Sequence, residues 1–254
     1  MAERLVKNPN RNLSRGWEKA MEAVLDAYLG QLPRSFSLDN RTITPSEFLE
    51  TSGFRPDEYI SITSYPQWPY DSFIVLEIPV NWANATYLNL PAEDMITVIH
   101  HAIENGYTVC WDGDVSDKGF SHNKGVAVLP DLELVDYTGS EKSRWEKLTE
   151  KERQKTFYAF EGPVAEKSIR DEDRQAAFDN LTSTDDHLMH LTGIAMDSLG
   201  TVYYRTKNSW GAESNAFGGY LYMSDAYVRQ HTIAIMIHRD ALPANIARRA
   251  KIKP

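Results

Sequence analysis

Cys110 is the only cysteine in this sequence of 254 residues. A lone thiol excludes an internal disulfide framework and fits a reducing compartment. No apolar run approaches the roughly 20 residues that cross a bilayer, and the polar start from Met1 to Asn12 lacks a signal-peptide core. A cytoplasmic protein with no membrane partner is therefore expected. Positive charge is scarce as well: 27 Lys and Arg stand against 36 Asp and Glu, a net charge of −9. That balance argues against a nucleic-acid partner. The one basic block, Arg248-Arg249-Ala250-Lys251-Ile252-Lys253, reads as a solvated end. No His-Glu-x-x-His, paired cysteine, glycine-rich phosphate loop or dinucleotide fingerprint occurs, so no metal and no cofactor is expected. His100 and His101 are neighbours on a helix, about 100° apart, and cannot form a metal pair.

What remains is an ordinary globular composition, 42% hydrophobic and 25% charged, enough for one domain or two. Ser14 can cap a helix to about Leu29 that places Trp17, Met21, Val24, Leu25 and Tyr28 on one face, stopped by Gly30 and Pro33. Thr44-Pro45-Ser46-Glu47 is a capping box with proline at the first helical position, ended by Gly53. Pro91 opens a helix through Met95, Ile96, Ile99, Ala102 and Ile103 that Gly106 closes. Thr149 to Glu152 repeats the capping box, predicting a helix towards Phe160. Arg170 to Asn180 reads as a further helix.

Strand signals occur at 59–64, at 73–80 with a break at Pro79, and at 107–115. The loop from Ser64 to Tyr70 is aromatic and proline-rich, and either lines a groove or covers core. His122 to Tyr137 is irregular or weakly stranded. The end reads as all strands: 188–196, 201–207, 219–223 and 232–238. Asp197, Ser198, Leu199 and Gly200 supply the turn between the first two of these. The order predicts an α+β protein: a mainly helical region with inserted strands over 1–180, then an antiparallel β region over 181–254.

The residues that can carry chemistry lie in that second region. His187 opens an apolar strand after Asp185-Asp186, and Asn208 closes the next strand, so a hairpin can bring the two together. An imidazole held by a neutral amide is an arrangement for orienting a ring beside a nucleophile. His190, three positions along, points to the other face of a strand and reads as packing or surface. Taken singly, His187 also fits a structural role, Asn208 a loop polar role and Trp210 a core aromatic.

Lys207-Asn208-Ser209-Trp210-Gly211 and Gly218-Gly219-Tyr220, after Asp-His and an apolar strand, resemble the second half of a papain-like cysteine peptidase. The details favour the bleomycin hydrolase and aminopeptidase C branch. Segments at 61–65, 91–106, 109–116 and 178–193 follow the same pattern, so the resemblance covers nearly the whole chain. It implies a papain-like fold and thiolate attack on peptides, with His187 as acid and base. Asn208 would accept from the His187 ring N–H, and Trp210 would shield that bond from water. Peptides are then the implied substrates, and a homo-oligomer is possible.

Cys110 is the wrong cysteine for such chemistry. A catalytic thiol of this family sits at a helix N-terminus, where thiolate is favoured, whereas Cys110 lies in an apolar strand after a helix. The family's Cys-Gly-x-Cys-Trp pattern is also absent around it. The resemblance thus implies an incomplete papain-like fold with a helical insertion region. It would be the C-terminal two thirds of such a peptidase, without the nucleophile or the oxyanion glutamine, and without a cleft-entering C-terminal arm. A truncated peptidase and an inactive relic serving in binding or assembly are the two expectations. Truncation, by removing the nucleophile helix, would expose apolar surface near His187.

Overall fold

Three stretches of alternating side chains, 59–63, 109–113 and 187–191, each bury one row of residues, as strands in one half-covered sheet must. The computed structural model describes residues 16–131, 149, 152 and 158–252. The chain divides into two units, Met1–Pro56 and Asp57–Pro254. Strands on either side of residue 180 pair with each other in the sheet described below.

In the first unit, helix α1 (Gly16–Leu29) has no buried residue, so the apolar face read from the sequence is left open. Strands β1 (Phe36–Leu38) and β2 (Arg41–Ile43) form a hairpin. Its turn is Asp39-Asn40, both at positive φ, as a two-residue hairpin loop requires. Helix α2 (Pro45–Ser52) carries the expected capping box: Glu47 N donates to Thr44 Oγ1 at 3.2 Å, and Thr44 N to Glu47 Oε2 at 2.7 Å. Gly53 ends it in the left-handed conformation.

The second unit holds a ten-stranded mixed sheet in the order β4-β5-β3-β12-β6-β9-β10-β11-β8-β7. Its strands are β3 (Tyr59–Thr63), β4 (Ser72–Val75), β5 (Thr86–Asn89), β6 (Val109–Gly113), β7 (Phe120–Ser121), β8 (Val126–Ala127), β9 (His187–Met196), β10 (Val202–Lys207), β11 (Tyr220–Ser224) and β12 (Thr232–His238). Strands β9, β10 and β11 pair antiparallel as expected, and two pairs that involve earlier strands, β3 with β5 and β8 with β11, are parallel. The sheet is not confined to the C-terminus.

Helix α3 (Ala92–Glu104) buries Ala92, Met95, Ile96, Val98, Ile99 and Ala102. These join Leu88, Trp111, Met189, Leu191, Tyr204 and Ile235 in the main core. Helix α4 (Asp171–Asp179) lies where the sequence placed it. The C-terminal region also holds helices α5 (Asp225–His231) and α6 (Ala244–Arg249) among its strands. Ser224 caps α5 by accepting from Tyr227 N, a signal outweighed in the sequence by the β-branched run that follows. The basic tail is not wholly solvated: Arg249 pairs with Asp71 at 2.9 Å and with Asp94, and Ile246 is buried.

The aromatic loop is core covering. Tyr65 is buried and its ring lies 4.4 Å from that of Phe178, while Asn89 fastens the loop through Tyr65 N, Tyr65 O and Trp68 O. Thr149 N donates to Glu152 Oε2 at 2.8 Å, as its capping box requires. The body of that helix, the cap at Ser14, the stretch 132–137 and Lys253 lie outside the described residues.

Candidate active site

A β-bulge decides which way His187 points. Strand β10 pairs Arg205 with Gly193 but Thr206 with Leu191, so β9 contains one extra residue, Thr192, at that point. Above the bulge, Ile194 packs against the main core; below it, Leu191 and Met189 do. The extra residue therefore reverses the alternation, and His187 falls on the core-facing row instead of the opposite one.

Its cross-strand partner is Gly113, where a Cβ would sit 2.2 Å from His231 O and against the Trp111 ring. The loop leading into β9 is tied down by carboxylates. Asp114 Oδ2 accepts from Thr184 N at 2.8 Å, and Asp186 Oδ1 accepts from Val115 N at 3.0 Å.

Asn208 follows β10 and is almost fully buried. Its own N–H donates to Gly219 O at 3.1 Å. Gly219 has φ +79°, and a Cβ there would lie 2.6 Å from Gly211 O, so the Gly-Gly pair is what lets the chain fold back at this point. The result is a contact of 2.8 Å between His187 Nε2 and Asn208 Oδ1. Trp210 lies beside it, its ring 5.2 Å from that of His187, and is half exposed.

One residue of this cluster escaped the sequence reading. His122 is buried, with Nδ1 3.3 Å from Asn208 Nδ2, Nε2 2.7 Å from Ser214 Oγ and its ring 4.7 Å from Trp210. The short β7–β8 hairpin carries it there because β8 docks parallel on β11. Asn215 Nδ2 then donates to His122 O at 2.9 Å and pins the turn. Burial, and the nearby His187, hold the His122 ring below the usual histidine range. No local motif marks it; a histidine in a weak hairpin acquires meaning only through the parallel pairing.

Cys110 and His190 are brought together elsewhere. They are cross-strand partners on the opposite row from Gly113 and His187, although Asn208 lines the same hollow as Cys110. Burial, and then Asp112, push the Cys110 thiol up rather than towards thiolate. His190 Nε2 is 2.7 Å from Thr108 Oγ1. With Leu188 and Lys207, these residues line a hollow of about 600 Å³. Leu188, 59% exposed, is the largest apolar surface there. His100 and His101 diverge as expected, to Tyr204 Oη and Ala241 O, both at 2.9 Å. Among the described residues, no group of three or more His, Cys, Asp or Glu is arranged to hold a metal. No helix among them is long and apolar enough to cross a membrane.

A model of the Peptidase C1-like family matches residues 158–254. That span includes His187, Asn208 and Trp210 and leaves out Cys110 and His122. Aminopeptidase C of Streptococcus thermophilus is 25% identical over 233 residues, covering 85% of this chain and 46% of that protein. Aminopeptidase E of Lactobacillus helveticus is 24% identical over 233 residues, covering 84% and 45%. Among solved structures, PepW from Lactobacillus rhamnosis HN001 superposes with a TM-score of 0.63 at 20% identity, over 98% of this chain and 54% of that one, which shows a common fold. The chain spans about half the length of the curated relatives it matches.

Proposed function

This chain is a relative of the papain-like cysteine peptidases, in the aminopeptidase C and bleomycin hydrolase branch, and from that premise we propose that it carries the acid–base half of a thiol-dependent peptidase site. His187 is the acid and base, Asn208 orients it and Trp210 shelters their bond. The observation that carries the reading is the 2.8 Å contact between His187 Nε2 and Asn208 Oδ1 at the mouth of β9.

The reaction follows from these roles. A thiolate paired with protonated His187 adds to a peptide carbonyl, forming a C–S bond. His187 gives its proton to the leaving amine as the C–N bond breaks. His187 then takes a proton from water, which attacks the thioester, releasing the acid and restoring the thiolate beside protonated His187. Peptides with a free amino end are the substrates suggested by the names of the aminopeptidase relatives. Cys110 stands on the opposite row of the sheet from His187, so this reading does not take Cys110 as the attacking sulfur.

That same placement favours a second reading, a catalytically silent module that binds or assembles. The test is hydrolysis of aminoacyl nitroanilides under reducing conditions by the protein as its gene expresses it, alongside His187→Ala and Cys110→Ser. The peptidase reading expects His187→Ala to abolish turnover and Cys110→Ser to leave it intact. Activity that survives His187→Ala would sink it, and a silent wild-type protein favours the binding module.

A further inference from the structure

We infer that His122 is a positioning residue that sets the orientation of the Asn208 amide and, through it, the tautomer of His187. The inference rests on the reading of His187 as the acid and base. It follows from counting donors along one chain of contacts. Ser214 Oγ–H donates to Gly211 O at 2.5 Å, so its oxygen is left to accept. His122 Nε2 lies 2.7 Å from that oxygen and therefore carries the ring hydrogen. His122 Nδ1 is then a lone-pair acceptor, and it faces Asn208 Nδ2 at 3.3 Å. With its NH₂ engaged on that side, the amide turns Oδ1 to the other, where Ser209 N–H at 2.7 Å and His187 Nε2 at 2.8 Å converge. An amide oxygen only accepts, so the neutral His187 ring bears its hydrogen on Nε2 and keeps the lone pair on Nδ1. That is the nitrogen left to exchange a proton with a thiol.

The surroundings agree. His122 and Asn208 are both buried, where an amide pointing the wrong way would set its NH₂ against Ser209 N–H and its oxygen against the His122 lone pair. Burial disfavours a charged His122 ring, as its acceptor role requires. Trp210 touches both imidazoles, which holds the two rings at either end of the amide. Ser209 N–H is a second hold on Oδ1, so His122 reinforces the orientation and does not act alone.

The test is the tautomeric state of the His187 imidazole, read from long-range nitrogen–proton correlation spectra of the full chain at about pH 8, where ordinary histidines are neutral. The wild-type ring is expected as the Nε2–H form. In His122→Leu the Nδ1–H population should rise about tenfold, the change that loss of one buried hydrogen bond brings. His122→Gln, whose amide can both donate to Ser214 and accept from Asn208, should restore the wild-type pattern. Ser214→Ala, a smaller change, frees the His122 tautomer and should shift His187 in the same direction even if the leucine variant does not fold.

An Nδ1–H ring in the wild-type chain, or a tautomer unmoved in both His122→Leu and Ser214→Ala, overturns the inference. No hydrolysis enters this readout. Inactivity with the expected tautomers sinks the functional reading alone, and His187-dependent activity with unmoved tautomers sinks the relay alone.

Discussion

The two rows of side chains on strand β9 teach more about this protein than any single motif. On one row His187 sits with Asn208, His122 and Trp210 in a closed set of contacts, continuous with the main core. On the other, Cys110, His190 and Leu188 border an open hollow that Asn208 also lines, with Asp112 beside them. Both rows carry a histidine, and chain neighbours such as His187 and Leu188 fall on opposite ones. What differs is how completely each side is covered beside β9, and hence which polar groups had to find partners away from water.

The largest expected effect breaks this comparison at its chemical end. If the peptidase reading holds, His187→Ala lowers turnover by about 10²–10⁴-fold, while Cys110→Ser, on the opposite row, leaves it unchanged. Steady-state hydrolysis under reducing conditions measures both. Alkylation sharpens the same contrast: Cys110 should react with iodoacetamide no faster below neutral pH than an ordinary buried thiol.

Next comes the packing difference. Trp111 is fully buried on the His187 row, and its Nε1 donates to Thr232 Oγ1 at 2.7 Å. Trp111→Ala should cost about 3–5 kcal/mol in urea unfolding. Leu188→Ala, on the open row, should stay within about 0.5 kcal/mol.

Asp112 and His122 should also answer pH with opposite signs. Burial, then the neighbouring Asp185, raise Asp112 well above the usual carboxylate range. The folded chain therefore holds a proton that the unfolded chain releases near pH 4, and this contribution to stability is lost as pH rises from there. Asp112→Asn should stabilise the fold by an amount that grows between pH 4 and 7.5, read as a shift in urea midpoint.

His122 behaves in reverse. Its folded ring resists protonation, so its contribution is intact above about pH 6.5 and is lost as pH falls through that value, when the unfolded chain takes up the proton first. His122→Gln should flatten the acid side of the stability profile between pH 6.5 and 5, the smallest of these effects. A profile identical to wild type would place the acid sensitivity elsewhere, with His190 and His231, whose rings are lowered by burial too.

Much of this architecture can be read from local chemistry. The capping box at Thr44, the proline start and glycine stop of α3, the hairpin turn at Asp197 to Gly200 and the span of β12 all follow from short-range rules, because the energies involved act over a few residues. The Lys-Asn-Ser-Trp-Gly run and the histidine before an apolar strand were likewise visible. Helix α5 was not, because its seven residues lie between two strands and take their stability from packing. The parallel β8–β11 pair was hidden for a related reason: parallel strands leave no hairpin signal, and their register depends on residues far apart in the chain.

From its order of residues alone, the protein had already committed to an α+β pattern, to a histidine and an asparagine at the ends of adjoining strands, and to a single thiol. Only tertiary structure decided on which side of the sheet each of these would stand. One extra residue at Thr192 reverses the strand's alternation, and a hairpin docked on β11 delivers His122. A strand repeats every two residues, so an offset of one residue changes everything that faces the core.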